Sequence, residues 1–211
     1  MARGRFITFE GGEGAGKSTQ VRRLAERLTA AGLWVTSTRE PGGSPGAEAL
    51  RGLLLQGEAD RWSPVSETLL MYAARADHLE TLIRPTLADG GWVVCDRFHD
   101  STRAYQGAAG GAPADLIAAL EAAVVGADLP NLTLVLDLPV EQGLERAAGR
   151  DALDRFESRD RAFHDRLRET FLAIAAREPD RCHVVDAAPA PDIVAAAVWD
   201  TVRTRLGGDL G

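Results

Sequence analysis

The chain has 211 residues, 45% of them hydrophobic, enough for one domain with a substantial core. Its net charge of −7 and pI near 5.2 argue against a general nucleic-acid binder, which presents a basic surface. A small anionic ligand stays open, because it needs only a local cluster of arginines and amides.

Taken in chain order, strand-length apolar runs alternate with helix-length amphipathic ones. Residues 6–9 read as a buried strand that stops at a glycine cluster. Residues 18–31 place Val21, Leu24, Ala25 and Leu28 on one helical face, and Gly32 ends that helix. Residues 33–38 give a second strand, and 45–56 and 65–89 read as helices, the latter interrupted near Pro85. A third strand at 92–95 leads into a long polar, glycine-rich loop, then a helix at 113–126 and a fourth strand at 132–138. Helices at 140–148 and 158–177 flank an arginine-rich connection, followed by a strand at 182–185 and a closing helix at 193–206. This alternation implies an α/β domain: a five-stranded parallel sheet with helices on both faces, one domain over 1–211. Cys95 and Cys182 lie in separate apolar runs and read as reduced core residues. The run at 6–9 is too short for a signal peptide and no stretch approaches a membrane span, so a cytoplasmic protein without membrane partners is expected.

Gly11, Gly12, Glu13, Gly14, Ala15, Gly16, Lys17 and Ser18 satisfy the P-loop pattern, with a strand before it and a helix after it. Glycines let backbone N–H groups face phosphate oxygens, and the helix start adds its positive dipole end. Lys17 can reach the β- and γ-phosphates, and the Ser18 hydroxyl can ligate Mg²⁺. Asp96, at the end of the third strand, is the expected carboxylate beside that metal. These features imply a nucleoside triphosphate without choosing among kinase, ATPase and GTPase. A guanine-reading Asn-Lys-x-Asp element is absent, which counts against a switch GTPase.

Three further clusters follow strand or helix ends: residues 38–43, residues 96–107, and Arg146 to Arg159 with Arg150, Arg155, Asp154 and Glu157 between them. Fixed guanidinium groups offset the repulsion between two phosphates that must approach in line, so the clusters suit phosphoryl transfer. His78, His99, His164 and His183 are scattered and read as structural or surface residues.

Together, the P-loop from Glu10 to Thr19, Thr38-Arg39-Glu40-Pro41-Gly42-Gly43, Asp96-Arg97-Phe98 with Ala104-Tyr105-Gln106-Gly107, and Asp154-Arg155-Phe156-Glu157 resemble the bacterial thymidylate kinases. The likeness runs in order from about residue 5 to residue 187. It implies the P-loop nucleoside monophosphate kinase fold, ATP·Mg²⁺ as donor, dTMP as acceptor, and a homodimer. ATP would lie on Gly11 to Thr19 with Arg146 and Arg150, part of an arginine-rich lid at about 146–159. Arg39, Arg51 and Arg97 would hold the acceptor phosphate, and Glu10 would face the sugar 3′-hydroxyl. Arg75, Thr102 and Gln106 would contact the base, with Ser101 nearby, and Tyr105 would sit against the deoxyribose. Lys17, Arg97, Arg150 and Glu13 are the implied catalytic group, Glu13 marking the P-loop form whose lid supplies the catalytic arginines. Two positions depart from the family pattern: Met71 stands where an aromatic ring usually stacks on thymine, and Ala148 where a lid basic residue is common. Two alternatives share the P-loop: a kinase for another nucleoside monophosphate or a deoxynucleoside, and an ATPase switch that needs no acceptor cluster.

Overall fold

The structure, a computed structural model, describes residues 4–58, 60–148, 156 and 159–207. Among these, five strands form one sheet: Phe6–Glu10 (β1), Val35–Arg39 (β2), Trp92–Asp96 (β3), Leu132–Asp137 (β4) and Cys182–Asp186 (β5). Their spatial order is β2-β3-β1-β4-β5, and every neighbouring pair is parallel. The helices are Lys17–Ala30 (α1), Pro45–Leu55 (α2), Pro64–His78 (α3), Arg84–Ala88 (α4), His99–Thr102 (α5), Ala114–Val124 (α6), Val140–Ala148 (α7), Arg161–Arg177 (α8) and Pro191–Leu206 (α9).

Alternation along the strands sends successive side chains to opposite faces. Ile7, Phe9, Val94, Leu134 and Val185 meet Val21, Leu24 and Leu28 of α1 and Val194, Val198 and Val202 of α9. Phe6, Val93 and Cys95 face the other way, onto Tyr72 of α3, Ile83 and Ile117 of α6. On that same side Val135 and Cys182 pack on Phe163, Leu167 and Phe171 of α8. Both cysteines are buried free thiols, as their apolar surroundings implied.

Each strand ends on a charged residue: Glu10, Arg39, Asp96, Asp137 and Asp186. The parallel arrangement gathers these ends on one edge. The chain leaves β1 for β2 on one side and leaves β3 for β4 on the other, so a crevice opens where β1 and β3 end.

One expectation is refined and one needs correction. The helix expected at 65–89 with a break near Pro85 is α3, a π-helical stretch Leu79–Ile83 that forms the break, and α4. Pro85 has no N–H to donate and lies in the first turn of α4, so the hydrogen-bond ladder widens just before it. The stretch after β3, expected as a loop, is helical: α5 continues into a π-helical segment Arg103–Ala109. Distant ion pairs hold it. Asp100 is buried and accepts from both Nη atoms of Arg181, at 2.7 and 2.8 Å. Arg181 also donates to Thr133 Oγ1 at 2.8 Å and Glu178 Oε2 at 2.7 Å, while Arg103 reaches Asp100, Glu121 and Glu178. Thr133 in turn bonds the Thr8 hydroxyl at 2.8 Å, so the polar residues inside the sheet are satisfied.

Candidate functional site

The P-loop turns from β1 into α1 through Gly16, the residue preceding the helix, at φ 83°. Gly14 has φ +67°, and a Cβ there would approach the Gly143 carbonyl of α7 to 2.0 Å, so only glycine lets the loop pack this closely. Lys17 folds back over the loop, donating to the Gly11 and Gly12 carbonyls at 3.1 and 2.7 Å. Burial, with Arg97 nearby, pulls the Lys17 amine down to about 8 against the opposing pull of Glu13, Asp96 and Glu10. The Ser18 hydroxyl donates to Asp96 Oδ2 at 2.6 Å, which brings the two expected metal-side oxygens together.

One cavity of about 490 Å³ begins at Glu13, Gly14, Gly16, Lys17, Ser18 and Thr19. It continues past Asp96 to an arginine-rich half with Arg39, Arg51, Arg75 and Arg97. Met71, Ser101, Thr102, Tyr105 and Gln106 complete that half, and Arg146 also lines the cavity. Gly11, Gly12 and Ala15 of the loop do not line it.

Arg97 spans the two halves. Its backbone is at φ 68°, which turns the side chain toward the P-loop. Nη2 donates to Glu13 Oε1 at 2.8 Å, and Nη1 to Gly11 O at 3.1 Å and Ser101 Oγ at 3.3 Å. Its guanidinium carbon lies 4.7 Å from the Tyr105 ring centroid, and the Tyr105 hydroxyl also donates to Glu13 Oε1, at 2.5 Å. Burial would raise the Glu13 carboxyl, but Arg97, Lys17 and Tyr105 outweigh it and hold the group at about 2.

Glu10 is placed differently from its expected role. It is fully buried and does not line the cavity. Its oxygens accept from the Phe98 N–H at 2.8 Å, the Ser101 N–H at 3.3 Å and the Ser101 hydroxyl at 2.6 Å, which fixes the start of α5. Burial and the Asp100 charge push its carboxyl up to about 8, against Ser101, Arg97 and Phe98.

Arg75 is buried in the cavity wall between the rings of Tyr72 and Phe98, 4.8 and 5.3 Å from their centroids. Gln106 donates to Glu67 at 2.9 Å, tying the π-helical segment to α3. Arg39 holds both Glu48 oxygens, at 3.1 and 3.2 Å, and Arg51 donates to Pro41 O at 2.5 Å. Arg146 donates to the Ala187 and Ala188 carbonyls after β5, at 3.0 and 2.9 Å. Arg150, Asp154, Arg155 and Glu157 lie outside the described residues.

Glu40, Phe98 and His78 are among the wall or support residues given no part in binding from sequence. The spacing of Arg75 and His78, three apart on one helix, is the signal that could have linked them.

A chain with cations on both sides of a P-loop cavity can bind two phosphorylated ligands end to end, and the family comparison is decisive. The thymidylate kinase family model matches residues 9–198. The chain belongs to the thymidylate kinase family. It is therefore a nucleotide-binding kinase, a transferase. It is 66% identical to a thymidylate kinase of Caulobacter vibrioides over 207 residues, covering 98% of this chain and 100% of the relative. A thymidylate kinase of Bradyrhizobium diazoefficiens is 55% identical, covering 97% of this chain and 91% of the relative. Among solved structures, the thymidylate kinase of Ehrlichia chaffeensis superposes with a TM-score of 0.76 at 33% identity, covering 95% and 99% of the two chains. The P-loop nucleoside monophosphate kinase fold of that family is the fold described above.

Proposed function

We propose that this chain transfers the γ-phosphoryl group of ATP to dTMP, forming dTDP for dTTP synthesis. The observation that carries the reading is the single cavity, in which the P-loop and an arginine-lined acceptor half share Arg97. An ATPase switch has no need of that second half.

The P-loop amides and Lys17 bind the ATP phosphates, Lys17 leaving the Gly11 and Gly12 carbonyls to do so. The Ser18 hydroxyl and Asp96 carboxylate are hard oxygen donors 2.6 Å apart, a set that fits Mg²⁺. Among the described residues no cluster of three His, Cys, Asp or Glu could hold a metal, so phosphate and water oxygens would complete the coordination. Bound Mg²⁺ would neutralise charge on the β- and γ-phosphates. Arg39, Arg51 and Arg97 hold the acceptor phosphate by exchanging their present partners for phosphate oxygens. Arg97 thus stands where charge develops during transfer, the arrangement in which a preorganised cation contributes most.

Arg75, Thr102 and Gln106 face the base, and Met71 supplies an adaptable apolar contact in place of a stacked ring. Tyr105 lies beside the sugar. Glu10 acts one step back from its expected contact, by holding Ser101 and Phe98. The lid at about 146–159 contributes Arg146 and Arg150, and Arg150 is the lid residue assigned to the transferring phosphoryl group.

The reading includes a cytoplasmic homodimer. Leu53 of α2 and Val65 and Leu69 of α3 are exposed apolar side chains that support a dimer face, and no helix among the described residues is long and apolar enough to cross a membrane.

The test is ADP formation from ATP·Mg²⁺ with and without a panel of nucleoside monophosphates. Strong preference for dTMP with little turnover in its absence supports the proposal. Acceptor-independent hydrolysis, or preference for another monophosphate, overturns it.

A further inference from the structure

Arg75 does not stand alone in the cavity wall. Its Nε donates to Glu40 Oε2 at 2.8 Å, and its Nη2 to Phe98 O and Thr102 Oγ1, both at 3.1 Å. Its Nη1 is buried without a hydrogen-bond partner among the described residues. The second Glu40 oxygen lies 3.0 Å from His78 Nδ1, and His78 Nε2 lies 2.8 Å from Thr38 Oγ1. Burial alone would raise the Glu40 carboxyl, but Arg75 and His78 outweigh it and hold the group below its ordinary value. An ionised carboxylate only accepts, so Nδ1 carries a proton and donates to Glu40, while Nε2 pairs with the Thr38 hydroxyl.

The chain Thr38, His78, Glu40, Arg75 therefore runs from β2 to the cavity, and His78 itself is fully buried and does not line it. Gly43, at φ +88°, closes over it. A Cβ there would come within 2.3 Å of Thr38 Oγ1 and 2.4 Å of His78 Nε2, leaving no room for water at that point. The Arg75 guanidinium is thus fixed along Nε and Nη2, and the donor left over is Nη1. A planar donor fork held at one angle donates to a base carbonyl and meets an amino group, itself a donor, with like polarity.

We infer that His78 is a positioning residue for acceptor-base recognition: through Glu40 it sets the angle of Arg75, and with it the preference for a keto over an amino pyrimidine. The inference rests on the reading of the arginine-lined half as the nucleoside monophosphate site. His78 touches no substrate, so its removal acts on acceptor binding and selectivity and not on the phosphoryl donor.

The experiment compares His78→Asn, His78→Leu and Glu40→Gln with the unaltered chain, using dTMP and dCMP as acceptors. Asn keeps a donor near the Nδ1 position and loses volume; Leu keeps volume and loses the donor. His78→Leu is expected to raise KM for dTMP about tenfold or more, the scale of one charge-assisted hydrogen bond, and to narrow the dTMP over dCMP preference by a similar factor. KM for ATP should stay unchanged, and kcat should change far less than KM. His78→Asn should recover most of the loss, and Glu40→Gln should resemble His78→Leu. If Leu performs as well as Asn, or the variants lower only the melting temperature, His78 is a packing residue and the inference falls. An unaltered chain that phosphorylates neither acceptor would instead overturn the functional reading beneath it.

Discussion

Replacing Arg181 by methionine tests whether the buried ion network holds the helical segment after β3 in place. Methionine retains length and apolar bulk but removes every donor. Asp100, 1% exposed, then loses both bonds from Arg181 and keeps Arg103 Nη1 at 3.2 Å. Removing one partner of a buried pair costs about 3–5 kcal/mol, because the remaining charge stays desolvated. For a chain of this size each kcal/mol moves the melting temperature by about 2–4 °C, so a loss of roughly 6–20 °C is expected at pH 7. The sign with pH follows from Asp100. Burial raises its carboxyl, but His99, Arg181 and Arg103 outweigh that and hold it below its ordinary value of 3.8. Its ionised form therefore contributes stability above that ordinary value, and the contribution is lost as pH falls through the lower folded value. In the variant, burial is opposed by less, the carboxyl rises, and the deficit against the parent shrinks on acidification. The double variant Asp100→Asn/Arg181→Met removes the stranded charge and should regain much of the loss. Thermal unfolding followed by circular dichroism at pH 5 and 7 measures all three proteins. A single-variant shift under 2 °C at pH 7, or a double variant less stable than the single, would refute the reasoning.

Arg97→Ala removes the group shared by both halves of the cavity. Steady-state kinetics should show kcat lower by about 10²–10³-fold with a native-like circular dichroism spectrum, and a drop under fivefold would move the role elsewhere. Arg150→Ala should lower kcat comparably under the same assay; near-normal kcat would assign the lid role to another arginine. Lys17, pulled by burial to about 8 from its ordinary 10.5, should lose its charge in the ligand-free enzyme as pH rises through 8. Since phosphate binding requires the ammonium, kcat/KM for ATP should fall about tenfold per pH unit above 8, and a flat profile to pH 9.5 would contradict this. The same depressed amine disfavours folding below pH 8 and releases that penalty as pH rises toward 10.5. For dUMP, which lacks the thymine methyl, kcat/KM should be about 10–200-fold below that for dTMP, the worth of one methyl in an apolar pocket. Equal rates would mean that Met71 and its neighbours do not contact the methyl.

Features set by near neighbours in the chain were legible without coordinates. The glycine spacing of the P-loop, the apolar strands, and the aspartate at the end of the third all act within a few residues. They sufficed for a parallel α/β sheet and a phosphate site at its carboxyl edge. Lys17, Ser18, Asp96, Arg39 and Arg97 from the motif segments, and Arg51 and Arg75 named from the family resemblance, all line one cavity.

Tertiary structure decided what depends on partners far apart in sequence. The strand order puts β1 between β3 and β4, and no local pattern contains it. Residues 99–109 have the composition of a loop, yet they are helical and tied at Asp100 by Arg181, 81 positions away. Glu10 ends β1 as expected, but burial and the nearby Ser101 and Phe98 turn it into a support for α5. His78 lies 38 positions from Glu40 and joins it only because α3 packs beside the end of β2. Short-range rules specify which elements form. The energies of buried ion pairs and hydrogen bonds depend on desolvation and on partners brought together by folding, so they arise only in the packed chain.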